Sequence, residues 1–294
     1  AEEVIEHVQQ EFSSHKEFSK IKFGRQAELL GSADAVRVGL EIVSEPIENI
    51  FVQLGDVPLM TKEIASEIIS KFNSENSKLL IATAILDDPF GYGRIVRNEN
   101  GEIQKIVEEK DCDESQKKIS ESNMFPFVFS KAFLKSALPK VKSNNQQKEL
   151  YLTDCVGIAS DENEIIASYI YEDVEYAMGV NDRSQLCETE KLMRVRINEK
   201  HMKNGVTIID PNNTYIDADV EIENDVTLTP GTVLKGKTKI SAGTVIDSST
   251  LIDSIVGKNV TVGPMSYLRP GTILHDNVHI GTSVEIKNSE IGQG

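Results

Sequence analysis

The sequence predicts an α/β layered domain, a connecting helix and a parallel β-helix, in that order. Three observations support this prediction. Short apolar runs alternate with helical patterns up to about residue 180, one long helical pattern follows, and a six-residue period then begins. With 294 residues, the chain is also long enough for two domains. We therefore predict segments at 1–180, 181–205 and 206–294.

In the first domain, β-rich runs predict six strands. The runs FVQL and LLIATAI are almost continuously apolar, which is typical of central strands covered on both faces. The opening AEEVIEHVQQEF indicates an acidic amphipathic helix. It lacks the basic and apolar regions of a signal peptide. The predicted strands are 49–54, 78–86, 93–98, 102–109, 122–130 and 164–171, and the predicted helices are about 31–45, 61–73, 131–137 and 149–160.

The connecting helix is predicted to begin at Asn181 and to end at Asn204-Gly205. After it, aliphatic residues recur every six positions, and a small or β-branched residue stands two places before most of them. This period is typical of a hexapeptide-repeat β-helix, with three short strands in each coil. The aliphatic positions fall on two registers separated by a four-residue step: Ile216, Ile222, Leu228, Leu234, Ile240, Ile246 and Ile252, then Val256, Val262, Leu268, Leu274, Ile280 and Ile286.

Composition excludes several classes of function. A formal charge of −16 argues against nucleic-acid binding, which depends on basic residues. No apolar run is long enough to cross a bilayer, so we expect no membrane association. Three widely spaced cysteines, Cys112, Cys155 and Cys187, fit neither a disulfide framework nor a zinc site and favour a cytoplasmic location.

The strand FVQL runs into Gly-Asp-Val-Pro, which places Asp56 at the carboxyl end of a central strand. In open α/β sheets, ligands bind in the crevice at this edge. The alternative is that Asp56 only caps the helix that begins near Thr61.

Several motifs, in this order, resemble the bacterial bifunctional N-acetylglucosamine-1-phosphate uridyltransferase / glucosamine-1-phosphate N-acetyltransferase family. They are RQAELLGSADA (25–35), LGDVPL (54–59), DDPFGYGRIV (87–96), VEEKD (107–111), SNMFPF (122–127), GVND (179–182), and LRPG with VEIK in the repeats. The resemblance covers essentially the whole chain. It implies a Rossmann-like nucleotidyltransferase domain and a left-handed β-helix that forms a homotrimer.

The first reaction implied by the resemblance transfers uridylyl from UTP to N-acetylglucosamine 1-phosphate and releases pyrophosphate. The resemblance assigns Asp56 and Asn181 as catalytic residues that hold Mg²⁺, and a helix N-cap is the alternative role for Asn181. The resemblance implies that Gln26, Gly31 and Ser32 bind around the uracil, and a helix start in a Gly-Ser turn is their alternative role. It implies that Gly93, Glu108 and Asn123 bind at the sugar, and that Leu54, Gly55, Asp56 and Asn181 also bind substrate. Taken singly, Gly93 also fits a hairpin bend and Glu108 a solvated strand position.

The second reaction implied by the resemblance acetylates glucosamine 1-phosphate from acetyl-CoA. Arg269 and Lys287 match the basic residues that bind the sugar phosphate, and solvated corner charges are their alternative role. The catalytic histidine and the acetyl-CoA contacts of the family fall beyond the residues given. We interpret His201, His275 and His279 as lone surface histidines.

The sequence also departs from the family pattern. The Gly-rich segment of about the first fifty family residues, with the first strand, is absent, and no cap follows the repeats. We therefore expect a fragment at both ends that transfers uridylyl poorly or not at all. Within the motifs, Ala33, Asp34, Met124, Phe125 and Lys148 replace the usual residues, and we expect Met124 and Phe125 to alter the sugar pocket.

Two other functions remain open. One is a different sugar-1-phosphate nucleotidyltransferase with a β-helix tail, such as one acting on glucose 1-phosphate. The other is a non-catalytic assembly or regulatory relative, which the substituted motif positions favour and the retained Asp56, Glu108, Asn123 and Asn181 oppose.

Overall fold

The computed structural model describes residues 2–43 and 46–293. The chain forms two compact units, residues 1–179 and 180–294. Within the described ranges, no helix is both long enough and apolar enough to cross a membrane. The α/β domain followed by a hexapeptide β-helix is confirmed.

The first unit contains a mixed sheet with strand order β4-β3-β5-β2-β6, and β1 pairs with β5. Strands β1 and β2 both run antiparallel to β5, whereas β6 runs parallel to β2. The first two strands therefore begin at one edge of the sheet and end at the other. Their bounds are β1 Asn49–Val52, β2 Leu79–Ile85, β3 Arg94–Arg97, β4 Ile103–Val107, β5 Glu121–Ser130 and β6 Ile166–Ile170.

Strand β2 is covered on both faces, as predicted. Its side chains alternate between two apolar clusters, with Leu79 and Ile81 in one and Leu80 and Ala82 in the other. Thr61 caps the helix that follows β1, so the alternative capping role of Asp56 is wrong. The helices of this unit are α1 Glu2–Phe12, α2 Ser32–Ile42, α3 Lys62–Ser74, α4 Lys131–Ala137 and α5 Asp154–Asp161.

The second unit begins with the long helix α6, Arg183–Lys203. Its N-cap is Asp182, whose side chain accepts from the Gln185 N–H, so the capping role considered for Asn181 is wrong. His201 is buried on this helix, which corrects its interpretation as a surface histidine. Burial lowers the pKa of His201 and favours the neutral ring.

After α6, short strands form three five-stranded parallel sheets that stack coil upon coil. Their inward aliphatic side chains form one continuous core. The strands are β7 Thr207–Ile208, β8 Tyr215–Ile216, β9 Glu221–Ile222, β10 Thr227–Leu228, β11 Val233–Lys235, β12 Lys239–Ile240, β13 Val245–Ile246, β14 Thr250–Ile252, β15 Ile255–Val256, β16 Thr261–Val262, β17 Tyr267–Leu268, β18 Ile273–Leu274, β19 His279–Ile280, β20 Glu285–Ile286 and β21 Glu290–Ile291.

One predicted core position of the β-helix is wrong. Leu251, which is fully buried, stacks between Leu234 and Leu268, whereas Ile252 pairs with the exposed Lys235. The four-residue step predicted after Ile252 is therefore two five-residue steps, from Ile246 to Leu251 and from Leu251 to Val256. Leu251 and Ile252 are both aliphatic, so the prediction extended the six-residue period to Ile252, one position too far.

Candidate active site

Four predicted substrate-binding residues line one cavity of about 490 Å³ in the first unit: Gln26, Gly31, Ser32 and Leu54. The ring of Phe125 and the side chains of Gln53 and Leu152 complete much of its wall. The amide nitrogen and oxygen of Gln53 are buried and have no hydrogen-bond partner among the described residues. The cavity therefore combines apolar walls with polar groups, as small-molecule sites commonly do.

The loop before α2 is held against the segment before α5. Ala33 N donates to Leu150 O at 2.9 Å, and Leu150 N donates to Leu30 O at 2.7 Å. A Cβ on Gly31 would lie 2.5 Å from the Leu150 carbonyl oxygen, and φ at this residue is +117°, so only glycine fits. This extended pairing also explains why α5 begins at Asp154 and not at the predicted residue 149.

Gln26 is fixed by a charged network that sequence reasoning did not identify. Its Nε2 donates to Asp34 Oδ2 at 2.8 Å and to Gly31 O at 3.1 Å, and Arg37 donates two hydrogen bonds to Asp34. The hydrogen bonds from Gln26 and Arg37 lower the pKa of Asp34 and keep this buried carboxyl ionised. Asp34, a departure from the family motif, thus orients a residue of the cavity.

The predicted sugar-binding residues of the first unit lie together beside β4 and β5. Asn123 N donates to Gly93 O at 2.7 Å. A Cβ on Gly93 would lie 2.8 Å from the Ile106 side chain and 3.4 Å from Glu108 Oε2, so the packing of these side chains leaves no room for a side chain at this position. Asn123 is 9% exposed, and its Oδ1 has no hydrogen-bond partner among the described residues. The side chains offer two polar groups to a ligand at one place.

The buried hydroxyl of Thr153 donates to Glu108 Oε1 at 2.8 Å and orients this carboxylate. Thr153 was not predicted, because the contact joins positions 45 residues apart. Burial raises the pKa of Glu108, and the charge of Asp111 adds to this effect. Burial, together with Glu108 and Asp111, also raises the pKa of Asp154 to about 6. Three carboxyl groups, those of Glu108, Asp111 and Asp154, therefore lie close enough to influence one another, and carboxylates accept hydrogen bonds from hydroxyls.

The raised pKa of Asp154 predicts a pH-dependent change in stability. The native protein retains a proton that the unfolded chain releases near pH 4, so this group makes the protein less stable as the pH rises from about 4 to about 6. We expect Asp154→Asn to raise the free energy of unfolding by about 1 kcal/mol more at pH 7 than at pH 4, after allowance for solvent screening of a half-buried group. Urea unfolding at both pH values measures this difference. An equal effect of the substitution at both would contradict the assignment.

Asp56 and Asn181 are both exposed, and neither side chain forms a hydrogen bond or ion pair within the described ranges. Asp56 and the adjacent Gly55 follow β1 in the first unit, whereas Asn181 belongs to the second. Their joint binding of one ion stays a prediction. A carboxylate and an amide oxygen that are free of other partners do fit Mg²⁺, which keeps several water ligands.

In the second unit, Arg269 and Lys287 follow the paired strands β17 and β20 and occupy equivalent positions on adjacent coils. Arg269 N donates to Ile286 O at 2.8 Å, and its side chain pairs with Glu285 at 2.9 Å. Adjacent coils are about 4.8 Å apart, so the two basic residues lie close enough to act on one anion.

Comparison with known proteins identifies the family of the chain. Residues 1–174 match the nucleotidyl transferase family. The chain belongs to this family. Residues 253–288 match the bacterial transferase hexapeptide family with its six repeats.

Curated relatives of this nucleotidyl transferase include proteins named bifunctional protein GlmU. The relative from Clostridium acetobutylicum is 43% identical over 92% of this chain and 63% of its own length. The relative from Streptococcus suis is 41% identical over 93% of this chain and 63% of its own. The relative from Listeria monocytogenes is 39% identical over the whole chain and 66% of its own. The chain thus spans a little under two thirds of the length of these relatives.

Three departures from the expected motifs can be placed in the structure: Met124, Phe125 and Lys148. Met124 is buried in a core cluster of the first unit, and its expected effect on the sugar pocket stays a prediction. Phe125 instead lines the cavity that contains Gln26. Lys148 has φ of +57°, a left-handed conformation that glycine adopts more easily, which explains why glycine is usual there.

Proposed function

We propose that the first unit, as part of the full-length protein, takes part in uridylyl transfer from UTP to N-acetylglucosamine 1-phosphate with release of pyrophosphate. The observation that carries this proposal is the group formed by Gly93, Glu108 and Asn123, where an oriented carboxylate and an unpartnered amide oxygen lie beside a glycine that has no room for a side chain. Family membership and the relatives named bifunctional protein GlmU support it.

The cavity that contains Gln26 and the group formed by Gly93, Glu108 and Asn123 are built on the same two elements of the first unit. The segment that contains Leu152 lines the cavity with Gln26, and the next residue, Thr153, orients Glu108. Likewise, β5 contributes Phe125 to the cavity and Asn123 to the sugar group. The nucleotide and the sugar would therefore bind near the same two elements, as a transfer between them requires.

Asp56 and Asn181 would hold Mg²⁺ in this proposal. The ion supplies positive charge that reduces the repulsion between the two phosphate-bearing substrates. The chain itself orients Gln26 through Asp34 and Glu108 through Thr153, so binding need not order these side chains.

We further propose that the second unit takes part in acetyl transfer from acetyl-CoA to glucosamine 1-phosphate within a homotrimer. Arg269 and Lys287 would neutralise the sugar phosphate from adjacent coils. The match to the hexapeptide transferase family supports this role.

The decisive experiment assays the full-length protein with UTP and dTTP against several sugar 1-phosphates. We expect UTP with N-acetylglucosamine 1-phosphate to give the highest kcat/KM. Preference for glucose 1-phosphate would favour the other sugar nucleotidyltransferase. Absence of turnover with every pair would favour the non-catalytic relative.

A substitution tests the sugar group directly. We expect Glu108→Gln to lower kcat/KM for the sugar phosphate about 30-fold, because a hydrogen bond to a charged acceptor contributes about 2 kcal/mol. The KM for UTP should change little. Glu114→Gln is the matched control, since Glu114 is 90% exposed and forms an ion pair with the neighbouring Lys117. Equal losses for both substrates would contradict a specific role of Glu108 at the sugar.

A further inference from the structure

A second cavity, of about 630 Å³, lies in the first unit at the edge of the sheet opposite to Asp56. Residues just before β1 and β2 line it, together with residues at the end of β5. Since β1 and β2 run from this edge toward the edge that carries Asp56, the cavity is separate from the predicted catalytic site. We call it the basic cleft, after Lys78, Lys131 and Lys135 in its wall.

The charge of the basic cleft contrasts with that of the chain. Among the residues that the structure describes, three lysines line it against a single carboxylate, Glu48, in a protein with a formal charge of −16. Neither Lys78 nor Lys135 forms an ion pair within residues 2–43 and 46–293, although acidic residues greatly outnumber basic ones. The positive charges of Lys78 and Lys135 repel each other and have no counter-ion among the described residues, so the fold gains nothing from placing both beside this cleft.

Ser77 supplies an independent indication of a ligand. This residue is 5% exposed and lines the cleft, and its hydroxyl has no hydrogen-bond partner among the described residues. Its backbone N–H is already used in a bond to Phe72 O. A buried hydroxyl without a partner is unfavourable, and an oxygen-rich ligand in the cleft would accept its proton.

We propose that the basic cleft binds a small phosphate-bearing anion. Ammonium groups bind phosphate as point charges, and hydroxyl and amide groups of Ser77 and Asn76 would complete the donor set. The volume is within the range of small-molecule sites. A large polyanion does not fit, because the rest of the surface is acidic. The basic cleft is distinct from the proposed site of uridylyl transfer, because it lies where β1 and β2 begin and Asp56 follows the end of β1.

Isothermal titration of the full-length protein, without divalent ions and at low salt, tests the proposal. Inorganic phosphate, pyrophosphate and glucose 6-phosphate serve as probes, and the order of their affinities distinguishes a free phosphate from a phosphorylated metabolite. We expect saturable binding of at least one probe and an affinity about tenfold or more lower in the double variant Lys78→Gln, Lys135→Gln. Lys142→Gln, an exposed lysine outside the cleft, should bind as the wild type does.

Ser77→Ala provides a second variant with opposite effects on binding and stability. Loss of the hydroxyl should weaken probe binding about threefold while raising the melting temperature of the free protein, because an unpartnered buried group is removed. The proposal is overturned if no probe binds saturably, or if the double lysine variant binds with unchanged affinity. Both results are independent of uridylyl transfer, so they do not depend on the proposed function.

Discussion

In the full-length protein, Asp56→Ala is expected to reduce uridylyl transfer by about a thousandfold or more, the largest effect that we predict. Asp56 follows the carboxyl end of β1 and is exposed, and its carboxylate has no partner among the described residues. Removal of a ligand to the catalytic ion costs several kcal/mol of transition-state stabilisation, and each 1.4 kcal/mol corresponds to about a factor of ten in rate. Steady-state kinetics with UTP and N-acetylglucosamine 1-phosphate would measure the loss.

The same variant should keep acetyl transfer within about twofold, because Arg269 and Lys287 belong to a different compact unit. Asp161→Ala is the matched control, since Asp161 is an exposed carboxylate at the end of α5. Equal loss of both activities in Asp56→Ala would indicate misfolding. Retained uridylyl transfer at saturating Mg²⁺ would show that Asp56 is not a ligand of the ion.

Elements with strong local patterns were predictable from the sequence. The run LLIATAI is apolar on both faces, and β2 is buried on both faces. The helix predicted at 131–137 has these bounds, because Ser130 caps it and β5 ends there. The motif residues Gly93, Glu108 and Asn123 were predicted separately, and the sheet brings them together because β3 pairs with both β4 and β5.

Residues whose roles depend on distant partners were not predictable. Thr153 orients Glu108 across 45 positions, and Asp34 orients Gln26 only because the loop before α2 turns back on itself. His201 lies on a helix with no marked apolar face, and its burial comes from packing in the second unit. Such contacts are tertiary, so no local period or propensity indicates them.

The second large prediction concerns the register of β14, where two adjacent aliphatic residues, Leu251 and Ile252, both fit the repeat pattern of the sequence. Leu251 is fully buried between Leu234 and Leu268, whereas Ile252 lies partly exposed beside Lys235. We expect Leu251→Ala to lower the free energy of unfolding of the second unit by about 3 kcal/mol, through lost apolar burial and the cavity left behind. Ile252→Ala should cost about 1 kcal/mol or less.

The comparison of these two variants tests the stacking register, since they remove similar aliphatic groups one residue apart. Hydrogen exchange of the β-helix amides measures the loss in the second unit alone, which a global melting curve of a two-unit chain does not. A larger cost for Ile252→Ala than for Leu251→Ala would restore the uninterrupted six-residue register. If only Leu251→Ala lowers the free energy of unfolding strongly, Leu251 is the inward residue of this coil, because only an inward side chain leaves a cavity when it is shortened. The inward residues are then spaced by two five-residue steps, from Ile246 to Leu251 and from Leu251 to Val256.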